Sequence, residues 1–419
     1  KKLNKKYTSN IVMNNFKFKL TDGQLKVLNE IEDDINSDKR MFRLIQGDVG
    51  SGKTILALIS AAKVIDVNFQ VAFMAPTEIL SYQHFRLAQK LFKNSTVNID
   101  IITGKTHARD RKNILQNLSN GKINLIFGTH SLFQNKIKFL NLGYVIIDEQ
   151  HKFGVNQRLK LAKKGGKNCD LLLISATPIP RSMMLSFFGD MDISRLSEKP
   201  KYRKDIITYV KPENKTHDIW PLIKKELSIG RQAFWICPLI ENSVNLNYSS
   251  VINKFKEISK FFPNQVGLIH GKLDKCDKDK ILKNFFEKKI KILVSTTVIE
   301  VGIDYPNANT IIIEDSNKFG LSQLHQLRGR VGRGKNESIC ILLYKKNLSN
   351  NARERLKILR STNDGFMIAE KDMELRGFGD ILGFQQSGNK NFKFADPLHH
   401  KDLFMLAEKE IKKLEKLNF

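Results

Sequence analysis

Short, almost unbroken apolar runs alternate with longer stretches whose apolar positions recur at helical spacing, from about residue 20 to 200 and again from about 205 to 345. Runs of that kind read as parallel strands buried on both faces, and their alternation with helices reads as βαβ units. In the first set, Met41–Gln46 is predicted to be a strand and Thr54–Val64 the helix that follows it. Val71–Ala75, Leu125–Gly128, Tyr144–Ile147 and Leu171–Ser175 are predicted as further strands. The second set has Ala233–Cys237, Val266–Ile269, Ile292–Ser295, Thr310–Glu314 and Ser338–Tyr344, with Leu196–Lys204 as the linker between sets. Beyond Lys345 the strand pattern stops. Asn351–Arg360 and Phe366–Leu375 predict a helical hairpin around the turn Asn363-Asp364-Gly365. A Gly-rich loop and an amphipathic helix over Leu403–Leu417 follow.

Composition changes the picture mainly through charge. Across 419 residues the formal net charge is +27, which points to a polyanionic partner, most simply nucleic acid. The four cysteines, Cys169, Cys237, Cys276 and Cys340, form neither a C-x-x-C pair nor a metal spacing, which fits a reducing cytosol. No apolar run approaches the ~18 residues of a membrane span, and no hydrophobic segment follows the basic start Lys1–Lys6. Lys rather than Met at position 1 leads us to expect a missing N-terminal part, with residues 1–19 as a basic linker to it.

Candidate chemistry sits at the carboxyl ends of the predicted strands, where open α/β sheets bind ligands. Gly47-Asp48-Val49-Gly50-Ser51-Gly52-Lys53-Thr54 fits a phosphate loop. Glycines there let backbone N–H groups wrap phosphates, Lys53 reaches the β/γ oxygens, and Thr54 can ligate Mg²⁺. Asp148-Glu149 ends a strand. Asp148 is expected to hold Mg²⁺ and Glu149 to polarise the attacking water, while Gln150 and His151 relay toward nucleic acid. Ser175 and Thr177 end the next strand with hydroxyls that can bond the acidic pair. Phe18 and Gln24, upstream of the loop, can stack on and hydrogen-bond adenine. In the second set, Thr296 and Thr297 can donate to nucleic-acid phosphates, Gly302 allows close approach, and Asp304 can bind ribose or position Arg330. Gln326-Leu327-Arg328-Gly329-Arg330-Val331-Gly332-Arg333 is an arginine cluster of the kind that stabilises γ-phosphate charge.

Taken in order, these segments resemble superfamily 2 helicases, and their wording is similar to the RecG branch-migration family. The similarity is carried by GDVGSGKT, MAPTEIL (Met74–Leu80), GTHSLFQ (Gly128–Gln134), IIDEQHKFGVNQR (Ile146–Arg158), SATPIPR (Ser175–Arg181), TTVIEVGIDYPNA (Thr296–Ala308) and QLHQLRGRVGR (Gln323–Arg333). Glu374–Gly377 and Gly383–Gly388 resemble the translocation motif of that family, with Phe378 in place of its usual proline and Phe384-Gln385 in place of Thr-Arg. The resemblance implies two tandem RecA-like parallel-sheet motor domains, residues 20–198 and 199–345, followed by a mainly helical hairpin, loop and helix over 346–419. It implies ATP and Mg²⁺ held between the two domains, with Lys53, Asp148, Glu149, Arg330 and Arg333 as the hydrolytic set. It further implies that Gln326 helps couple the site to DNA and that Arg376 and Gln386 pass domain closure on to duplex DNA. The implied activity is a monomeric, cytoplasmic, nucleoid-associated DNA helicase of the 3′–5′ class acting on duplex and branched DNA, with single-stranded-DNA-binding protein as a further partner. The family's N-terminal wedge domain has no counterpart in this sequence. Rival readings are the motor of a transcription-repair coupling factor and a nucleotide-gated DNA clamp without turnover.

Overall fold

The structure, a computed structural model, describes residues 1, 3, 7–149, 161, 164–166, 169–176, 191–198, 204–238, 244–296, 305, 307–332, 334, 336–376, 400 and scattered positions over 402–411. The chain forms two compact units that meet in sequence at 199–200.

The first unit is built on a sheet of seven strands, all parallel: β1 (Phe42–Gly47), β2 (Gln70–Met74), β3 (Ile99–Ile102), β4 (Leu125–Gly128), β5 (Leu142–Ile147), β6 (Asp170–Ser175) and β7 (Asp192–Leu196). Their order across the sheet is β3-β4-β2-β5-β6-β1-β7. Strands β2, β4, β5 and β6 are buried along their whole length, as strands covered by helices on both faces must be. The helices are α1 (Tyr7–Phe16), α2 (Asp22–Asn36), α3 (Lys53–Asp66), α4 (Glu78–Leu91) and α5 (Ala108–Ser119). Helix α3 is almost entirely buried, because α1 and α2 cover the side that the sheet does not. Residues 1–19, expected as a linker, therefore carry a packed helix. Val12 is fully buried in the core, and the Asp66 carboxylate accepts from the Thr8 N–H at 3.1 Å.

Ile45 on β1 lies fully buried in the cluster that α3 shares with the sheet. Ile45→Ala is expected to destabilise the first unit by about 2–5 kcal/mol through lost transfer energy and a residual cavity. A lowered urea midpoint at unchanged m-value would show it.

The second unit has six parallel strands: β8 (Ile206–Pro212), β9 (Gln232–Ile236), β10 (Val266–Ile269), β11 (Ile292–Ser295), β12 (Ala308–Ile313) and β13 (Ser338–Tyr344), in the order β10-β11-β9-β12-β13-β8. Its helices are α6 (Trp220–Ser228), α7 (Val244–Phe261), α8 (Lys275–Phe286) and α9 (Leu321–Arg328), then the hairpin α10 (Asn350–Ser361) and α11 (Gly365–Arg376). The hairpin belongs to the same core as the sheet: Leu356, Leu359 and Ile368 pack with Leu324, Leu327 and Val331. Thus two RecA-like parallel-sheet units and a helical C-terminal region make up the fold. The predicted helix over Leu403–Leu417 falls largely outside the described residues.

Three strands, β3, β7 and β8, were not expected. All lie at sheet edges, where one side faces solvent and the apolar run is broken by Asp100, by Ser194 and Arg195, and by Thr208 and Lys211. Strand β7 ends at Leu196, the first residue of the predicted linker. It is tied in through Arg43, whose Nη1 donates to Ser194 Oγ at 2.8 Å and whose Nε donates to Asp34 on α2 at 2.5 Å.

Candidate nucleotide site

The phosphate loop leaves the carboxyl end of β1 and turns directly into α3. Gly50 and Gly52 take φ of 78° and 90°, a left-handed backbone that residues with a side chain rarely adopt. At Gly52 the demand is also steric, because a Cβ there would lie 2.3 Å from the Gln24 amide nitrogen. Gly47 is equally confined: a Cβ would meet Ser51 Oγ at 2.7 Å and Leu196 Cβ at 2.9 Å. The buried Lys53 ammonium sits in the hollow of the loop and donates to the Gly47 and Asp48 carbonyls, both at 2.7 Å, and to Ser51 Oγ at 3.3 Å. Thr54 follows it in the first turn of α3, where helix-start N–H groups favour an anion.

Gln24 is placed by a capping box at the start of α2. Its backbone N–H donates to Thr21 Oγ1, and its side-chain oxygen accepts from the Thr21 N–H at 2.9 Å. The remaining amide nitrogen donates to the Ser51 carbonyl at 2.8 Å, so Gln24 braces the phosphate loop. Phe18 is exposed and meets Phe16 edge-on with ring centroids 5.5 Å apart.

Asp148 continues β5, and its N–H donates to the Met74 carbonyl of β2 at 2.9 Å. The Asp148 side chain is nearly buried and accepts from the Glu149 N–H at 2.9 Å. Glu149 stands at φ 51°, a left-handed position that costs a residue with a side chain of order 1 kcal/mol or more. Such backbone is held only where the surroundings over-determine it. Ser175 is fully buried at the end of β6, beside Gln46 of β1. Strands β1, β2, β5 and β6 therefore bring the loop, the acidic pair and Ser175 to one edge of one sheet.

Sequence reasoning missed His84. It lies on α4, buried, with Nε2 2.7 Å from Asp148 Oδ2. A lone histidine on a helix reads as core, and only the fold reveals a contact between positions 64 apart.

In the second unit Thr296 is buried just past β11. Gln326 is half-buried on α9, and Arg330 is buried one turn beyond it, its N–H donating to the Leu327 carbonyl at 3.0 Å. The arginine cluster is not uniform. Arg328, grouped at first with Arg330 and Arg333 as phosphate-facing, points into the unit. Its Nη1 donates to the carbonyls of Leu359 at 2.6 Å and Thr362 at 2.9 Å, and its Nη2 lies 3.0 Å from His325 Nδ1. Ser322 adds a second tie, its hydroxyl donating to Asp372 of α11 at 2.5 Å. A third comes from Arg355 of α10, which donates to the Phe319 carbonyl at 2.7 Å and the Asn317 carbonyl at 3.2 Å. Gln150, His151, Thr177, Thr297, Gly302, Asp304, Arg333 and Gln386 lie outside the described residues, and Arg376 is described only as the last residue of α11.

Three family models match successive parts of the chain: DEAD/DEAH box helicase over residues 21–185, helicase conserved C-terminal domain over 217–335, and RecG domain 3, C-terminal, over 362–415. The ATP-dependent DNA helicase RecG of Bacillus subtilis is 47% identical over 384 residues, covering 91% of this chain and 56% of that protein. The protein of the same name from Thermotoga maritima is 44% identical over 400 residues, covering 95% and 51%. Among solved structures, RecG bound to a three-way DNA junction superposes with a TM-score of 0.78 at 40% identity, covering 94% of this chain and 52% of that one. The Mycobacterium smegmatis helicase Lhr, bound to single-stranded DNA and AMP-PNP, has a TM-score of 0.62 at 17% identity over 84% of this chain and 50% of that one, a likeness of fold. The chain spans about half the length of the curated relatives it matches. Two helicase models followed by the RecG-specific one, with relatives matched over more than nine-tenths of the chain, place it in the RecG family of ATP-dependent DNA helicases.

Proposed function

We propose that this chain is the motor and translocation part of an ATP-dependent double-stranded DNA translocase that remodels branched DNA such as stalled forks and Holliday junctions. The observation that carries the coupling of ATP to movement is the set of ties between α9 and the hairpin: Arg328 to the end of α10, Ser322 to Asp372 on α11, and Arg355 back to the loop before α9. A helix that leads directly to Arg330 is thereby fixed to the element that the family resemblance assigns to DNA movement. The RecG structure on a three-way junction supports the branched substrate, and the charge of +27 supports backbone contact.

At the site, the loop N–H groups of Gly50 to Thr54 and the Lys53 ammonium receive the β- and γ-phosphates. The loop backbone fits this, since Gly50 and Gly52 hold the left-handed φ values that a phosphate-wrapping turn needs. The Thr54 hydroxyl and the Asp148 carboxylate form an oxygen donor pair of the kind Mg²⁺ takes together with phosphate oxygens. Mg²⁺, when bound, supplies positive charge to the phosphates. Glu149 orients and polarises the attacking water, and Arg330 and Arg333 stabilise charge on the γ-phosphate. Phe18 serves the adenine end together with Gln24, whose amide keeps one further N–H and one lone pair beyond its bonds to Ser51 and Thr21, and Gly302 and Asp304 approach the ribose. Ser175, Thr177, Gln150, His151, Thr296, Thr297 and Gln326 relay between nucleotide and DNA, and Arg376 and Gln386 deliver the stroke. The extents assigned to the parts are 20–198, 199–345 and 346–419.

Two linked measurements test this reading. Steady-state ATP hydrolysis should rise on adding duplex DNA. In addition, log K for duplex should fall linearly with log salt, at roughly −0.9 per phosphate contact. A flat salt dependence would overturn the backbone-tracking motor, and duplex binding without turnover would favour the clamp.

A further inference from the structure

We propose that His84 is a positioning residue that holds the Asp148 carboxylate in the orientation Mg²⁺-nucleotide requires. This rests on the reading of Asp148 as part of an ATP site. Helix α4 begins at the carboxyl end of β2, capped by Thr77, whose Oγ1 accepts from the Leu80 N–H at 3.3 Å. Its second turn carries His84 inward across β2 toward the end of the neighbouring strand β5. There Nε2 meets Asp148 Oδ2 at 2.7 Å, while Oδ1 of the same carboxylate accepts from the Glu149 N–H. Both oxygens are thus oriented, one by the adjoining backbone and one by a side chain from another element. The imidazole itself has little freedom. It lies 4.8 Å from the Phe73 ring, and Phe73 stacks on Phe127 at 5.2 Å. This chain of ring contacts sets the imidazole plane, and the plane sets the direction of the bond to Asp148. Groups that hydrogen-bond a metal-ligating carboxylate govern how well it is presented, and losing one typically lowers metal affinity or activity about 10–100-fold.

A purely packing role would put His84 in the same place, so the test must separate bonding from filling. The affinity of a fluorescent ATP analogue is measured with Mg²⁺ and with EDTA, and the ratio of the two dissociation constants reports the metal's contribution. His84→Leu fills the space without a donor, and His84→Asn carries an amide too short for the Nε2 position. Both should reduce the ratio about tenfold or more while leaving affinity in EDTA unchanged. His84→Gln, whose amide reaches the Nε2 position, should keep the ratio within about threefold of wild type. With Asp148→Asn as background, His84→Asn should have no further effect on the ratio. A wild-type ratio in His84→Asn, or a loss in His84→Gln equal to that in His84→Asn, overturns the proposal. Lys53→Ala in the same assay separates the two levels. If it binds nucleotide like wild type, the ATP-site reading fails. If it loses binding while the His84 variants do not, only the role of His84 fails.

Discussion

Lys53→Ala is expected to abolish ATP hydrolysis, and Glu149→Gln to keep nucleotide binding while lowering kcat by a factor on the order of 10² or more. The two substitutions act on different steps. Lys53 is nearly enclosed by its own loop, with its ammonium on the Gly47 and Asp48 carbonyls. Its removal takes a phosphate-neutralising charge from the ground state and the transition state alike, so binding and turnover fall together. Glu149 is held at a left-handed backbone position one residue beyond Asp148. Glutamine keeps its size and hydrogen-bonding reach but cannot take up a proton, so the loss belongs to the chemical step. Parallel measurement of kcat and nucleotide affinity distinguishes them. A Glu149→Gln protein with normal kcat would remove Glu149 from the mechanism.

Arg330→Ala is expected to lower kcat by about 10³-fold or more, the scale of an arginine that stabilises γ-phosphate charge, with a much smaller change in nucleotide affinity. The contrast with Arg328 makes this test sharp. Arg328 satisfies the carbonyls of Leu359 and Thr362 inside the second unit, so Arg328→Ala should act through stability and lower the urea midpoint. Arg330→Ala is read instead through kcat, measured where the urea curve shows the variant folded. If Arg330→Ala turns over ATP at the wild-type rate, the arginine charge on phosphate comes from elsewhere.

How far the fold was legible depended on burial. Central strands such as β2 and β5 announce themselves because both faces are covered, so nearly every position is apolar. Edge strands β3, β7 and β8 carry polar residues wherever one face is wet, and such short mixed runs look like loop. Helix α1 was hidden by its neighbours in sequence: lysines and asparagines dominate residues 1–19, yet Val12 and its packing on α3 decide the structure. At the site, the phosphate loop is contiguous, and its chemistry requires glycine, lysine and hydroxyl at fixed spacing, so it could be read directly. The inward turn of Arg328 could not, because three arginines at close spacing look alike until their acceptors are known. Nor could His84, whose partner ends β5, three strands further along the chain but next to β2 in the sheet.

Two of the acceptors of Arg328 are main-chain carbonyls, and every amino acid carries one. The bond therefore places no demand on which residues stand at 359 and 362, provided the end of α10 keeps its path. It does place a strict demand on position 328, since lysine offers no planar fork to span two carbonyls and a histidine nitrogen together. Tolerance to change is thus one-sided across this joint. A hairpin grafted from a distant relative should seat on α9 with its own side chain at 362 and, at 359, any apolar one that fills the core as Leu359 does, whereas Arg328→Lys alone should loosen it.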